Sequence, residues 1–265
     1  MKFATVKGIT LHYTLEGLKD GVPLVFINSL GTDLRLWDKL IPHFAEHFPI
    51  IRYDKRGHGL SDCPPGPYSI RDHSDDLAGL LDHLRVKDVI PVGISVGGMI
   101  ALDYTINHPQ SVKALVLCDT AAKIGAAEFW DERIAAIRKS GLEDMADTIL
   151  GRWFAPAFSK QYPADYKGYY NMLTRTPVEG YTATCQALGD ADLRESIGNI
   201  TAKTLVLCGV EDLATPPDVG RELAAALPGG RFEPIEQAAH LPCVEQPEKM
   251  AKTIERFLQE NGHAR

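Results

Sequence analysis

Short, almost wholly apolar runs recur along this chain, and helical spacing appears between them. Leu24–Ile27, Ile50–Tyr53, Val89–Val92, Ala114–Leu117 and Thr204–Leu207 lack the polar alternation of a strand with one wet face. Continuous apolar strands belong to sheets covered on both faces, built mostly from parallel strands with helical crossovers. Helical spacing is clearest over Ser69–Leu84, where Ile70, Leu77, Leu80, Leu81 and Leu84 share a face, and further helices are expected near Asp218–Leu227 and Glu248–Glu260. At the front, Phe3–Val6 and Thr10–Leu15 alternate and read as a hairpin turning at Lys7–Gly8. With Phe232–Ile235 as the last strand, the reading is an α/β protein with a mostly parallel eight-stranded sheet and helices on both faces.

One segment breaks this rhythm. Between about Ala121 and Ala187 no strand is expected, and aromatic residues are dense: Phe129, Trp130, Trp153, Phe154, Phe158, Tyr162, Tyr166, Tyr169, Tyr170 and Tyr181. Because it lies between two sheet strands, it reads as an insertion. Residues 1–120 and 188–265 would form the core, and 121–187 a helical cap above the strand ends. Most of its aromatics would pack the cap itself, and a few would face a pocket beneath it.

A formal charge of −7 without a Lys/Arg cluster argues against nucleic acid or an anionic membrane as partner. An anionic substrate would have to be held by local groups against that field. The first residues lack a signal peptide's apolar core, and no run reaches the length of a membrane span. Cys63, Cys118, Cys185, Cys208 and Cys243 are odd in number and scattered, which suits thiols in a reducing cytoplasm. No C-x-x-C, H-E-x-x-H or early G-x-G-x-x-G is present, so neither a metal nor an organic cofactor is expected.

Gly93–Ile94–Ser95–Val96–Gly97 spells G-x-S-x-G between the strand Val89–Val92 and an apolar helix containing Met99–Leu102 and Tyr104. Strand, sharp turn and helix are the setting in which this pentapeptide lifts a serine hydroxyl above the sheet edge as a nucleophile. Such a serine needs a base, and the base an orienting acid, in chain order serine, acid, histidine. His240 follows the last strand in Gln237–Pro242. His108 comes too soon after the elbow helix, His263 sits in a frayed tail, and His43, His47, His73 and His83 lie upstream. Two acids follow strands, Asp119 and Asp212. The Gly-led loop Gly209–Asp212 favours Asp212, which leaves Asp119 as a loop or helix cap and Glu211 facing solvent. The oxyanion donors would be the N–H of Val96 and, from the loop Asn28–Thr32, that of Leu30.

Ser95, Asp212 and His240 together resemble the α/β-hydrolase superfamily over essentially the whole chain. Three segments are similar to 3-oxoadipate enol-lactonases: Ile27–Asp33, Tyr53–Ser61 and Gly151–Phe158. The elbow departs from that pattern at Ile94 and Val96, where those enzymes often carry Leu and Met. The resemblance implies a cofactor-free serine enzyme of aromatic-acid degradation that opens a small anionic lactone through an acyl-enzyme. It also implies that the loop at Arg56–Ser61 is structural and His58 not catalytic. A carboxylate-bearing substrate under an aromatic roof needs a cation. Arg133, Arg138, Arg152 and Arg175 are candidates, with Trp130 and Trp153 as pocket walls. A general carboxylesterase, a C–C bond hydrolase of ring-fission products and a non-catalytic receptor are the competing readings. Oligomeric state is not encoded in any of these features.

Overall fold

In a computed structural model, which describes residues 1–263, eight strands form one sheet in the order β1-β2-β4-β3-β5-β6-β7-β8. These are β1 (Lys2–Val6), β2 (Ile9–Gly17), β3 (Leu24–Ile27), β4 (Pro49–Tyr53), β5 (Ile90–Ile94), β6 (Ala114–Cys118), β7 (Lys203–Gly209) and β8 (Gly230–Ile235). The hairpin β1–β2 and the β2–β4 pair are antiparallel, and every pairing from β4 through β8 is parallel. All residues of β3, β5 and β6 are buried, as a sheet interior covered on both faces requires.

The helices are α1 (Ile70–His83), α2 (Val96–Asn107), α3 (Ala127–Trp153), α4 (Phe158–Gln161), α5 (Pro163–Thr174), α6 (Val178–Asp190), α7 (Pro217–Ala226), α8 (Pro242–Glu245) and α9 (Pro247–Glu260). A capping box starts α1: Ser69 Oγ accepts the Asp72 N–H, and the Asp72 carboxylate accepts the Ser69 N–H. Helix α2 is apolar all round and buried from Val96 to Thr105, as befits the central helix behind the elbow. The amphipathic α9 buries Met250, Ala251, Ile254, Phe257 and Leu258. No helix among the described residues is long and apolar enough to cross a membrane.

Helices α3 to α6 lie between β6 and β7. Helix α3 is two arms meeting at Gly141, whose φ of 82° and ψ of 174° break the helical path. The boundary placed at residue 187 falls inside α6, which runs to Asp190, and residues 264–265 of the expected core segment lie outside the described residues. The histidine expected in a frayed tail is tied down, since the His263 N–H donates to Leu258 O at 2.8 Å. Phe154 stacks on Phe158 and meets the half-buried Tyr166 and Tyr169 at tilted angles, so these rings pack the insertion itself, while Tyr162 lies exposed against Phe158. All five cysteines are free thiols, and only Cys63 is less than fully buried.

Candidate active site

The loops that leave the C-terminal ends of β3, β5, β7 and β8 converge on one cavity of about 280 Å³, where the parallel-sheet topology collects such loops. Its lining includes Ser29, Leu30, Ser95 and His240 from the core, with Phe129, Trp130, Arg133, Arg152, Trp153 and Tyr181 from the insertion.

Ser95 sits between β5 and α2 with φ 57° and ψ −123°, a left-handed conformation that a non-glycine residue holds only under constraint. The constraint is visible. Its N–H donates to Cys118 O at 3.0 Å, and its carbonyl accepts from the Gly98 N–H at 2.9 Å and from Thr120 Oγ1 at 2.7 Å. The flanking glycines are required by space. A Cβ on Gly93 would lie 2.3 Å from Gly97 O, and one on Gly97 would lie 2.1 Å from Ile27 O. The turn closes only because both side chains are missing.

His240 is 3% exposed, and its Nδ1 donates to Asp212 Oδ2 at 2.8 Å. That bond fixes the tautomer and leaves Nε2 for the cavity that Ser95 also lines. Asp212 is held in turn: Oδ1 accepts the N–H groups of Ala214 (2.7 Å) and Thr215 (3.2 Å), and Oδ2 accepts Thr215 Oγ1 (2.8 Å). Burial pushes the Asp212 carboxyl up, but the His240 ring and these donors outweigh it and hold the group below its usual range. The sequence reading did not single out Thr215, although an acid followed at the second and third positions by free backbone donors is an Asx-turn pattern.

Asp119 does not cap its own loop, contrary to expectation. Its backbone leaves β6 at φ 46°, and Oδ1 reaches across to accept the Gly209 N–H of β7 at 2.8 Å. The side chain serves the neighbouring strand because the sheet brings β7 alongside at this level.

The N–H groups of Leu30 and Val96 meet no acceptor among the described residues. The loop bearing Leu30 is braced from beneath. Lys55 Nζ donates to Ser29 O at 2.6 Å and more weakly to Thr32 O at 3.4 Å. Thr32 Oγ1 donates to Ser29 O at 2.9 Å, and Asn28 Nδ2 donates to Thr32 O. The Gly31 N–H donates to His58 Nε2 at 3.0 Å, while His58 Nδ1 bonds Arg56 O at 3.1 Å. His58 therefore accepts as a neutral ring, consistent with burial pushing its proton affinity well below the ordinary imidazole value. Lys55 is 1% exposed, and burial lowers its ammonium to about 7. Sequence reading assigned this loop a structural role but did not find its target; a lysine and a histidine within four residues after a buried strand were the available signal.

Of the four arginines named as cations, Arg133 and Arg152 line the cavity, whereas Arg138 and Arg175 face other clefts. The Arg133 guanidinium lies over the rings of Phe129 (5.0 Å) and Trp130 (5.5 Å). Arg152 donates to Leu213 O at 2.9 Å, and both burial and the charge of Arg133 disfavour its protonated form. Among the described residues neither is paired with a carboxylate. Trp130 and Trp153 are buried walls, with Trp130 Nε1 donating to Ile124 O at 2.6 Å. The insertion is also tied to the His240 loop by Glu245, whose carboxylate accepts the Ala155 N–H at 2.9 Å and the Ala239 N–H at 2.8 Å. Nothing in the sequence around Glu245 signalled that tie.

A family model described as the alpha/beta hydrolase fold matches residues 22–247. The chain is 35% identical to 3-oxoadipate enol-lactonase 2 of Acinetobacter baylyi over 96% of its length and 95% of that protein. A crystal structure of the enol-lactonase from Burkholderia xenovorans LB400 superposes with a TM-score of 0.95 at 36% identity, covering 97% of this chain and 100% of that one. A malate-bound thermophilic esterase from Thermogutta terrifontis superposes with a TM-score of 0.92 at 26% identity, covering 99% and 98%. With the buried Asp212–His240 pair and Ser95 on one cavity, these likenesses settle the family: the chain belongs to the alpha/beta hydrolases and is a hydrolase.

Proposed function

We propose that this hydrolase opens 3-oxoadipate enol-lactone, a five-membered enol lactone carrying a carboxylate side chain, to 3-oxoadipate in aromatic-acid degradation. The observation that carries this reading is the pair Arg133 and Arg152, two cations without carboxylate partners among the described residues, in the roof of an aromatic cavity that also holds Ser95 and His240. In a chain of charge −7, placing them there suits an anionic substrate. The likeness to enol-lactonases supports the ring class.

Ser95 Oγ attacks the ring carbonyl as His240 Nε2 takes its proton, and Asp212 stabilises the resulting imidazolium. The N–H groups of Val96 and Leu30 hold the tetrahedral oxyanion. Collapse breaks the ring C–O bond and expels an enolate, a better leaving group than an alkoxide, which takes the proton held on His240 Nε2 and ketonises, leaving the imidazole neutral. The acyl group stays on Ser95 until a water, deprotonated by His240, attacks it. His240 returns the proton to Ser95 Oγ as 3-oxoadipate leaves. Each step uses only side chains and backbone donors of this chain, with the helices between β6 and β7 acting as the cap that holds the carboxylate.

A general carboxylesterase is the second reading, favoured by the esterase neighbour. That neighbour was crystallised with malate, a small dicarboxylate, which also fits a cavity built for carboxylates. A substrate panel separates the readings: the enol lactone, the same ring without its carboxylate, an aryl ester and a ring-fission dienone. The enol lactone should give the highest kcat/KM by at least about tenfold, the advantage of one charge-assisted contact. Preference for the aryl ester or the dienone would overturn the lactonase reading. A serine-directed phosphonate that labels the wild type but not Ser95→Ala excludes a receptor.

A further inference from the structure

Close to Asp212, and outside the lining of the cavity, stands a second carboxylate that the reaction does not use. Asp119 is fully buried, and ligand atoms of Asp119, Cys208 and Asp212 all lie within 4.8 Å of one another. Two carboxylates this close in a dry site do not both ionise. The donors decide which keeps the charge. Asp212 receives four: the Ala214 and Thr215 N–H groups, Thr215 Oγ1 and His240 Nδ1. Asp119 receives the Gly209 N–H on Oδ1, and its Oδ2 is buried with no hydrogen-bond partner among the described residues. An unpartnered anionic oxygen there would be costly, whereas a protonated carboxyl can turn its hydroxyl toward the Asp212 carboxylate, within 4.8 Å.

We propose that Asp119 is a positioning residue that works as a neutral carboxylic acid, its Oδ2 hydroxyl directed at Asp212. The other titratable groups around it are the thiols of Cys118 on its own strand, Cys208 on β7 and Cys243 on α8, and burial keeps all three protonated. Cys208 has a single S–H, which faces the carbonyls of Gly209 (3.4 Å) and Thr215 (3.3 Å), and its sulfur accepts far more weakly than a carboxylate, so Asp212 is the better acceptor for the Asp119 proton. Burial first, and then the charge of Asp212, push the Asp119 carboxyl well above its usual range, in agreement with an Oδ2 that is buried without a hydrogen-bond donor among the described residues. The added donor fixes the Asp212 carboxylate, so that Oδ2 stays aimed at His240 Nδ1. It also keeps a single negative charge in the pair, the charge that the imidazolium needs.

The kinetic part of this inference rests on the Ser95–His240–Asp212 reading, but the proton itself is read without substrate. In infrared difference spectra at neutral pH, wild type minus Asp119→Asn should show the C=O stretch of a buried protonated carboxyl. Absence of that band overturns the inference, whatever the enzyme's substrate proves to be. On any ester or lactone the enzyme turns over, Asp119→Ala should lower kcat about tenfold with KM unchanged, because Gly209 N–H and Asp212 each lose a partner. Asp119→Asn, whose amide can accept from Gly209 and donate to Asp212, should restore kcat to within about threefold of wild type. An Asn variant as impaired as the Ala variant contradicts the proposal. Because a raised folded-state value means that the folded protein holds the proton more tightly than the unfolded chain, stability drains away as pH rises above about 3.9, the unfolded value. The gain in Tm from Asp119→Asn should therefore grow between about pH 5 and 8, and a gain independent of pH would contradict a neutral Asp119.

Discussion

Lys55 Nζ lies 2.6 Å from the carbonyl oxygen of Ser29, so an ammonium buried under the sheet edge holds the loop that offers the Leu30 N–H to the cavity. Oxyanion donors stabilise a transition state only if they are already in place when charge develops. Lys55→Met removes the brace and leaves that carbonyl to Thr32 alone, through its Oγ1 at 2.9 Å and its N–H at 3.3 Å. The expected result is a fall in kcat of about tenfold or more with little change in KM, measured in steady-state assays. A variant with unchanged kcat would show that the loop holds its shape without the lysine.

Arg133→Met should act on binding. Losing a charge-assisted contact to a carboxylate costs about 1.5–3 kcal/mol, which appears as a rise in KM of about 10- to 100-fold for the anionic lactone. The same lactone without its carboxylate should show almost no change. Equal losses on both substrates would assign Arg133 to packing over Phe129 and Trp130 instead.

Activity should fall on acidification, because an imidazolium cannot take the Ser95 proton. The profile is to be read between about pH 5 and 8. Asp212 does not contribute there. Its folded-state value is depressed, so the stability it supplies is complete above the unfolded carboxylate value of about 3.9 and is lost only as pH falls through the lower folded value. A flat kcat/KM profile across that range would remove His240 as the base.

Gly97→Ala places a methyl 2.1 Å from Ile27 O, and main chain on both sides must move. The elbow and the end of β3 cannot separate without breaking the turn at Ser95, so a loss of order 3 kcal/mol is expected in urea unfolding, together with loss of activity. A midpoint equal to wild type would mean that the turn opens freely.

The features legible in the sequence share a physical cause, which is that they are local. Runs such as Leu24–Ile27 announce a doubly covered strand because every residue must be apolar, and Gly93 and Gly97 announce the elbow because no side chain fits there. Asp212 and His240 were readable because each sits in the loop that leaves a strand end. The supports were not. Lys55 meets Ser29 across 26 positions, Asp119 meets Gly209 across 90, and Glu245 meets Ala155 across 90. Such contacts depend on how β3, β6 and the inserted helices are brought together, which no local pattern records. The same limit applied to the four arginines, since only the bend of the insertion decides that Arg133 and Arg152 face inward and Arg138 does not.

The central claim is that Ser95 opens a carboxylate-bearing enol lactone. Its most direct test is hydrolysis of 3-oxoadipate enol-lactone by the purified chain beside Ser95→Ala, followed by loss of the enol-lactone chromophore. The wild type should show a kcat/KM within the common enzymatic range of about 10⁴–10⁸ M⁻¹s⁻¹, and the variant a fall of several orders of magnitude. A wild type that turns over the lactone no faster than Ser95→Ala would contradict that claim.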